Sequence, residues 1–329
     1  MKTIGIIDYY VSEWHANKYH SILADCAAAV GEEFKIAYAY GELDVSLYDQ
    51  GTTDEWCAQH GAERCYSIKE LCEKSDYVMI LAPSNPETHL GFAREALKYG
   101  KNTFIDKTFA PDYATAKEIY DIADTYGTKI FSSSALRYAS ELDSMKGASS
   151  IAVTGGGSNL PEYIIHQAEM LIKLVGCAAS GVSAARDGEK YVISVDFPNS
   201  VKATMTYEKF LTYSAAVNGG EVVEMKSPFF NGLIHKFLQL VAEIEFDSVG
   251  KNSSGTQVVT ERKSADEAEQ MILIQFVFSG QEIVEVDKFG IGTGKGAGCG
   301  GFTFAVETES GDNEGFDFFV HGIKCDNLR

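Results

Sequence analysis

The sequence predicts an α/β protein with a parallel-sheet domain over residues 1–135 and an α+β domain over residues 136–329, the latter with an open, mainly antiparallel sheet. Short apolar runs alternate with helical segments as far as residue 135, which is typical of βαβ units. Beyond it, extended stretches rich in Val, Thr, Tyr and Phe follow one another, as in antiparallel sheets packed on helices. A chain of 329 residues is long enough for two domains.

The elements of the first domain alternate in type along the chain. Its strands are short apolar runs, as expected where a strand is buried on both faces, and its later helices end at glycines. We predict strands over residues 2–8, 34–40, 77–81, 103–105 and 129–132, and helices over residues 13–30, 54–60, 68–74, 86–99 and 114–126.

The second domain begins with an amphipathic helix over residues 162–175, which ends at Gly176. Alternation of apolar and polar residues then predicts five extended stretches, at 180–186, 188–197, 200–207, 210–217 and 220–226. The remaining elements are helices at 228–245 and 264–278 and strands at 301–308 and 315–321, with a flexible glycine-rich loop at 290–301.

Charge and hydropathy exclude two kinds of partner. The net charge is −19 and no basic cluster is present, whereas nucleic-acid binding needs such clusters. The N-terminus begins as a strand without the features of a signal peptide, and no apolar run approaches the roughly 18–20 residues that span a bilayer. We therefore expect a cytoplasmic protein that binds neither nucleic acid nor membrane.

Polar residues follow two of the predicted strands. They are Pro83, Ser84 and Asn85 after one strand, and Asp106 and Lys107 after the next. Because ligands of open parallel sheets bind beyond the carboxyl ends of strands, both segments should line one crevice, and Lys107 is a functional candidate. His89 should face the same crevice, although a contact within the first turn of its helix is the plainer interpretation.

The turn after the first strand departs from the usual dinucleotide-binding pattern, G-x-G-x-x-G. It contains no glycine, and its candidate contacts are Asp8, Tyr9, Tyr10 and Ser12. Either a cofactor binds differently, with help from Ser12 or a tyrosine hydroxyl, or no dinucleotide binds. The full match at 296–301 precedes a predicted strand instead of a helix, and we reject it.

Glu162, His166 and Glu169 share one face of their predicted helix. A carboxylate one turn before a histidine can orient it for acid–base chemistry, although a solvated ion pair is the plainer interpretation. A metal site is also open, without a further ligand in evidence. The spacing of Cys57, His60, Cys65 and Cys72 fits no common zinc motif, so we interpret these cysteines as buried apolar residues.

Together these segments resemble the Gfo/Idh/MocA family of NAD(P)-dependent sugar and cyclitol oxidoreductases. The residues that carry the resemblance are Ala82-Pro83-Ser84-Asn85 with His89, Asp106-Lys107-Thr108, Arg137-Tyr138, and Glu162 with His166 and Glu169. The family typically has Glu-Lys-Pro in the second segment and Asp-x-x-x-His-x-x-Asp in the last, so the lysine and histidine match while their neighbours differ.

The resemblance implies a Rossmann-like first domain and a homo-oligomer, a dimer or tetramer, formed through the sheet of the second. It implies that Lys107 polarises the reacting hydroxyl, that His166 is the acid/base, and that Glu162 assists them. Arg137 is a candidate for an anionic group of the cofactor, with helix capping or pairing with Glu141 equally open. NAD is favoured over NADP, because Glu42 is the nearest acidic residue to the ribose position and no basic residue follows it closely.

Two other classes of function stay open. The missing glycines are consistent with a non-catalytic relative without a cofactor, such as a sugar-phosphate sensor or a partner subunit of an active paralogue. The acidic face around His166 is consistent with lyase, epimerase or hydrolase chemistry on the same fold.

Overall fold

The computed structural model describes residues 1–240, except 31–32, 47–50 and 178, and six short strands beyond residue 248. The chain forms two compact units: the first comprises Met1–Ser133 and Phe230–Arg262, and the second comprises Ser134–Phe229 and Lys263–Arg329. The domain division that we place at residue 135 stays a prediction.

The first unit contains a six-stranded sheet in which every pair of neighbours is parallel, as predicted. Its order is β3-β2-β1-β4-β5-β6. The strands are β1 (Lys2–Asp8), β2 (Phe34–Gly41), β3 (Glu63–Arg64), β4 (Tyr77–Ile80), β5 (Thr103–Ile105) and β6 (Ile130–Phe131). Since β1, β4 and β5 are adjacent and parallel, residues 8, 81–85 and 106–107 follow strand ends at one edge of the sheet.

The helices of the first unit lie where the sequence predicts them. They are α1 (Trp14–Val30), α2 (Thr53–His60), α3 (Ile68–Lys74), α4 (His89–Ala96) and α5 (Tyr113–Tyr126). Short 3₁₀ turns, Pro86–Thr88 and Leu97–Tyr99, flank α4. Gly100 and Gly127 have φ angles of 65° and 63°, a left-handed conformation that glycine adopts without steric cost.

The second unit is built on a six-stranded sheet of order β12-β11-β7-β10-β9-β8. Its elements are β7 (Ser150–Gly155), α6 (Leu160–Val175), β8 (Gly181–Asp187), β9 (Lys190–Asp196), β10 (Lys202–Tyr207), β11 (Ser214–Val217) and β12 (Val223–Glu224). All pairs are antiparallel except β7 with β10. We did not predict β7, in which the outward positions Ser150 and Ala152 are small residues with little strand signal.

The C-terminal part is described only in segments. They are α7 (Phe229–Leu240), β13 (Val249–Lys251), β14 (Gln257–Val259), β15 (Ile274–Gln275), β16 (Phe289–Ile291), β17 (Phe304–Val306) and β18 (Phe316–Val320). The helix predicted over 264–278 and the loop predicted over 290–301 lie mostly outside the described residues. Where they are described, at 274–275 and at 290–291, the backbone is strand, so both predictions are wrong at these positions.

Each unit has a core of its own. In the first, Ile4, Ile6 and Ile7 of β1 are fully buried, as in strands covered on both faces. In the second, Ile164, Ala168 and other apolar residues of α6 pack on the inner face of the sheet. No helix in the described part of the chain is long and apolar enough to cross a membrane.

Candidate active site

Lys107 lies just past the end of β5 and is only 7% exposed. Its Nζ donates a hydrogen bond to the carbonyl oxygen of Pro83, 3.1 Å away, in the segment that follows β4. The Lys107 backbone N–H donates to Oδ1 of Asp106 at 2.7 Å. The structure therefore brings together the two strand ends that the sequence singles out, with a largely buried ammonium group between them.

His89 does not face a crevice, and here the expectation from the sequence needs correction. Its side chain is fully buried. Nδ1 lies 2.9 Å from the carbonyl oxygen of Phe109, and Nε2 lies 2.6 Å from that of Leu81. Burial lowers the pKa of His89, although both carbonyls favour the protonated ring. The histidine ties the end of β4 to the segment after β5, and a cofactor could reach it only by breaking these contacts.

Asp8 ends β1 and is almost fully buried. Its Oδ1 accepts hydrogen bonds from the backbone N–H groups of Tyr9, at 2.7 Å, and Ala82, at 3.1 Å. Its Oδ2 is buried with no hydrogen-bond partner among the described residues. Burial, and next the nearby charge of Glu13, raise the pKa of Asp8 well above the ordinary value of an aspartate.

Glu13 immediately precedes α1 and caps the helix. Its carboxylate accepts hydrogen bonds from the backbone N–H of His15, at 2.7 Å, and from that of Ala16. These belong to the first helical turn, whose N–H groups have no partner within the helix. Glu13 is buried, and burial raises its pKa. We did not anticipate this role; the signal was a lone acidic residue directly before a long helix.

The other candidates in this turn are Tyr9, Tyr10 and Ser12. Tyr10 and Ser12 are buried, and the rings of Tyr9 and Tyr10 lie 5.9 Å apart between centroids. Burial of Ser12 places its hydroxyl among protein atoms, so the cofactor contact expected of it stays a prediction.

Asp106 connects the end of β5 to α1. Its Oδ2 contacts Nδ1 of His15, and the hydroxyl of Tyr19 lies 3.4 Å from the same oxygen. Tyr19 and Asp106 are both fully buried. Burial, and next the Asp106 carboxylate, raise the pKa of Tyr19 well above its ordinary value, so this tyrosine is a hydrogen-bond donor at neutral pH.

Glu42 lies exposed just beyond β2, and its backbone N–H donates to the carbonyl oxygen of Asp8 at 3.1 Å. It borders a pocket of about 380 Å³. The lining residues are Tyr40, Glu42, Ile68, Glu87, Thr88, Gly91, Phe92 and Glu95. Burial, and then the charges of Glu42 and Glu95, raise the pKa of Tyr40. Glu87 and Glu95 were missed in the sequence, although Glu87, Gly91 and Glu95 recur every four residues, the spacing of one helix face.

In the second unit, His166 lies half-buried on α6. Its Nδ1 is 2.6 Å from the hydroxyl of Ser134, and that hydroxyl also accepts a hydrogen bond from the Leu136 N–H at 3.2 Å. The ring packs against Tyr163, and the ring of Tyr213 meets it edge-on at 5.5 Å between centroids. Ser134 was not a candidate from sequence, because it lies 32 residues from His166 and only the fold joins them.

Glu162, one turn before His166, interacts with the start of α6. Its backbone N–H donates to Oδ1 of Asn159 at 2.9 Å, and its Oε2 accepts from the Asn159 amide at 3.0 Å. The buried hydroxyl of Tyr213 has no hydrogen-bond partner among the described residues. Burial, followed by the charges of nearby groups that include Glu162, raises the pKa of Tyr213, so it too is a donor at neutral pH.

The glycines before α6 make room for the aromatic residues around His166. A Cβ on Gly155 would lie 2.2 Å from the Tyr213 ring, and one on Gly157 would lie 2.1 Å from the Tyr163 ring. Gly157 also accepts a hydrogen bond from the Tyr207 hydroxyl at 3.0 Å. Close packing, rather than an unusual backbone angle, therefore explains glycine at these positions.

Arg137 forms a buried ion pair with Glu169, one helical turn beyond His166. Glu141, the other partner that we considered for Arg137, accepts hydrogen bonds from Ser227 and from the Lys226 backbone N–H. The metal interpretation of the acidic face loses support, because Glu169 is held by Arg137. Among the described residues, no three or more His, Cys, Asp or Glu side chains converge as metal ligands do.

Cys57, Cys65 and Cys72 are free and buried, as expected for small apolar side chains. Burial raises the pKa of Cys57 and of Cys65 to about 11 and that of Cys72 to about 12. His60 instead contacts Asn17, at 3.1 Å, and the ring of Trp56.

The parallel sheet of the first unit has the strand order of Rossmann folds. A comparison with protein-family models is more specific than the fold class. Residues 36–134 match the model of the Gfo/Idh/MocA family, described as "Oxidoreductase family, NAD-binding Rossmann fold", which confirms the resemblance seen in the sequence. The match begins after the β1–α1 turn, the segment that departs from the family pattern.

Individual relatives agree with this family. An uncharacterized oxidoreductase, YhhX of Escherichia coli K12, is 29% identical over 63 residues, which is 19% of this chain and 18% of that protein. The match thus spans about a fifth of the curated relative's length. The solved structures below share less than a quarter of their residues with this chain and therefore show the fold alone.

Three solved structures illustrate the likeness in fold. An oxidoreductase from Thermotoga maritima has a TM-score of 0.58 at 14% identity, with 75% of this chain and 90% of that chain covered. The WlbA (WbpB) dehydrogenase from Thermus thermophilus, in complex with NAD and UDP-GlcNAcA, has a TM-score of 0.57 at 15% identity, with 73% of this chain and 88% of that chain covered. UDP-N-acetylglucosamine 3-dehydrogenase GnnA from Acidithiobacillus ferrooxidans has a TM-score of 0.55 at 15% identity, with 73% of this chain and 89% of that chain covered.

The residues at the sheet edge fit one part of a dinucleotide and not another. The carboxylates beside the pocket, such as Glu42, could accept hydrogen bonds from ribose hydroxyls. A pyrophosphate, by contrast, binds through glycines and backbone N–H groups at the start of the first helix. In this chain Glu13 already holds the N–H groups of residues 15 and 16, and Asp8 adds a second buried carboxyl group. The turn as described therefore does not fit a pyrophosphate.

Proposed function

We propose that the protein is an NAD-dependent oxidoreductase that acts on a hydroxyl or ketone group of a sugar, polyol or cyclitol. The observation that carries the proposal is the buried Lys107 ammonium group at the carboxyl edge of an NAD-binding Rossmann fold. Lys107 is only 7% exposed, and its Nζ contacts the carbonyl oxygen of Pro83 at the end of the neighbouring strand. A largely buried ionisable group beyond the carboxyl ends of parallel strands is typical of a functional site.

The proposed chemistry divides between two side chains. The chemistry that NAD supplies when bound is hydride transfer at the carbinol carbon. Lys107 orients the hydroxyl and stabilises negative charge on its oxygen as the proton leaves. His166 takes that proton on Nε2, while the Ser134 hydroxyl orients the ring through Nδ1. Glu162 assists through its charge one turn before His166.

The substrate class rests on the family and on the solved relatives. WlbA is in complex with UDP-GlcNAcA, and GnnA is a UDP-N-acetylglucosamine 3-dehydrogenase. The two tyrosines beside His166, Tyr163 and Tyr213, offer flat apolar faces, which suit a sugar ring. We therefore propose a carbohydrate or cyclitol substrate, and include sugar nucleotides among the candidates.

The acidic pocket supports NAD over NADP. Glu42, Glu87 and Glu95 all line it, and no lysine or arginine does. An NADP 2′-phosphate would meet like charges there, whereas ribose hydroxyls can donate hydrogen bonds to the carboxylates. Glu42 is the residue that we assign to the ribose.

A non-catalytic role is the second candidate, and the carboxylates of the β1–α1 turn favour it. A chain that binds no dinucleotide could act as a sugar-phosphate sensor or as a partner subunit of an active paralogue. The lyase, epimerase or hydrolase alternative has weaker support, because its main motivation, a metal site on α6, is weakened by the Arg137–Glu169 pair.

Oligomerisation and location belong to the same proposal. We propose a homo-oligomer, dimer or tetramer, formed through the outer face of the β12-β11-β7-β10-β9-β8 sheet, and a cytoplasmic location. Light scattering on the purified protein measures its mass; a monomer at all concentrations would contradict the assembly.

The function is tested by incubating the protein with NAD or NADP and a panel of hexoses, cyclitols, polyols and UDP-sugars, and recording absorbance at 340 nm. We expect reduction of NAD with at least one compound and little or none of NADP. No absorbance change with any compound, together with no effect of millimolar NADH on protein fluorescence, would contradict the proposal and favour the non-catalytic candidate.

A further inference from the structure

The start of α1 is already occupied by a carboxylate from its own chain. Glu13 accepts from the N–H of His15, at 2.7 Å, and from the N–H of Ala16. These are the second and third residues of a 17-residue helix that directly follows β1. In nucleotide-binding sheets this helix end binds the pyrophosphate, because its N–H groups point outward and carry the positive end of the helix dipole.

A second observation indicates that the turn is arranged around negative charge. Asp8 is 1% exposed and its Oδ2 has no hydrogen-bond partner among the described residues. The charge of Glu13 raises the pKa of Asp8 in addition to the effect of burial. A buried, unpaired carboxyl oxygen is costly, and a proton or a ligand that donates a hydrogen bond would remove the cost.

We propose that Glu13 is an internal competitor of the cofactor pyrophosphate, so that a dinucleotide binds this chain only when Glu13 leaves the start of α1 or carries a proton. The inference rests on the proposed function, since it concerns the same cofactor. It assigns Glu13 as the residue that sets cofactor affinity, and it makes binding tighter as pH falls, because protonation removes the charge that repels the phosphates.

The surrounding charges agree with this direction. The groups that face the turn are Asp8 from β1, Glu13, His15 and Tyr19 from α1, and Asp106 and Lys107 from the end of β5. Burial raises the pKa of both Asp8 and Glu13, so these groups take up protons at a higher pH than exposed carboxylates do. Lys107 is held by Pro83 on the neighbouring strand end, and Asp106 is paired with His15.

The test is a calorimetric titration of wild type, Glu13→Gln and Glu55→Gln with NADH and with ADP-ribose at pH 6 and pH 8. Glu55 is the matched control, because its carboxylate caps α2 in the same unit and not α1. Glu13→Gln keeps a side-chain oxygen that can cap α1, and Glu13→Ser, a good N-cap without charge, serves if the first variant is unstable. Adenosine, which has no phosphate, is the control ligand.

We expect wild type to bind NADH and ADP-ribose more tightly at pH 6 than at pH 8. Glu13→Gln should bind both about tenfold more tightly at pH 8 and lose most of the pH dependence, because one like charge is removed. Glu55→Gln should behave as wild type, and the affinity for adenosine should not change in any variant. Binding by Glu13→Gln when wild type shows none would also support the inference.

Other results would overturn it. Equal affinity of wild type and Glu13→Gln for NADH, with no dependence on pH, would overturn the role of Glu13 and leave the proposed function standing. No binding of NADH by wild type, Glu13→Gln or Glu13→Ser would overturn both.

Discussion

The β1–α1 turn and the end of β5 lie at the same edge of one sheet, and they handle charge in opposite ways. The turn buries two carboxyl groups, Asp8 and Glu13, where a nucleotide-binding fold usually offers glycines and open N–H groups. The end of β5 buries Lys107, which we propose to contact the reacting hydroxyl. Asp106 connects the two through His15.

This difference separates two functions that usually occur together. The proposed catalytic residues, Lys107 and His166, are of the types that charge stabilisation and proton transfer need. Residues 8–16, on the nucleotide side, contain buried carboxyl groups that disfavour binding of the cofactor's pyrophosphate. A change on one side should therefore affect turnover, whereas a change on the other should affect cofactor affinity, stability and their dependence on pH.

The largest effect is expected at the catalytic side. Lys107→Met should lower turnover of any substrate found in the panel by roughly 10²- to 10⁴-fold, because charge on the reacting oxygen loses its stabilisation. NADH affinity, measured by titration, should change little. Lys101→Met, at the opposite end of β5, is the control and should retain activity. Full turnover by Lys107→Met would show that Lys107 does not stabilise charge on the reacting oxygen.

The link between the two sides should matter for stability. Asp106→Ala removes the partner of His15 and the acceptor of the Lys107 N–H, and should lower the free energy of unfolding by roughly 3–5 kcal/mol. Asp121→Ala, which breaks an exposed i,i+4 pair with Lys117, should cost less than about 0.5 kcal/mol. Denaturant unfolding measures both, and equal losses would show that Asp106 is not a structural link.

A smaller effect is expected at Ser134, which positions His166. Ser134→Ala should lower kcat about three- to tenfold, the value of one hydrogen bond, and move the pH profile of kcat while KM stays the same. Ser134→Thr, which keeps the hydroxyl, should restore the profile. Ser144→Ala, whose hydroxyl bonds only the carbonyl of Glu141, is the control. An unchanged pH profile of kcat in Ser134→Ala would show that Ser134 does not position His166.

The smallest effect is expected at Asp8. Its folded-state pKa is raised, so between the unfolded pKa and the folded pKa the folded protein binds more protons, and stability falls as pH rises. Asp8→Asn should therefore raise the melting temperature relative to wild type by about 2–4 °C more at pH 8 than at pH 5. Asp76→Asn is the control, because hydrogen bonding from the Thr3 N–H lowers the pKa of Asp76 and its stabilisation is therefore complete at both pH 5 and pH 8. Its effect on the melting temperature should be the same at the two pH values, and an equal lack of pH dependence in Asp8→Asn would contradict the assignment.

Much of the fold could be read from the sequence, because strand and helix periods in the first unit are undisturbed by long-range effects. We did not predict the strand β7, because its small outward residues give little indication of a strand and its formation depends on packing. The residues of the candidate site could be predicted from the sequence less completely than the fold. Lys107 and His166 follow from local motifs, whereas Ser134 beside His166 and Glu13 at α1 depend on the folded backbone. His89 resembled a crevice residue because burial cannot be read from a single position.

A crystal structure of the protein with NADH bound at pH 6 tests the competition between Glu13 and the pyrophosphate most directly. We expect the Glu13 side chain to have left the N–H groups of residues 15 and 16 and the pyrophosphate to contact these groups instead. A complex in which Glu13 still caps α1, with the phosphates bound elsewhere, would contradict it.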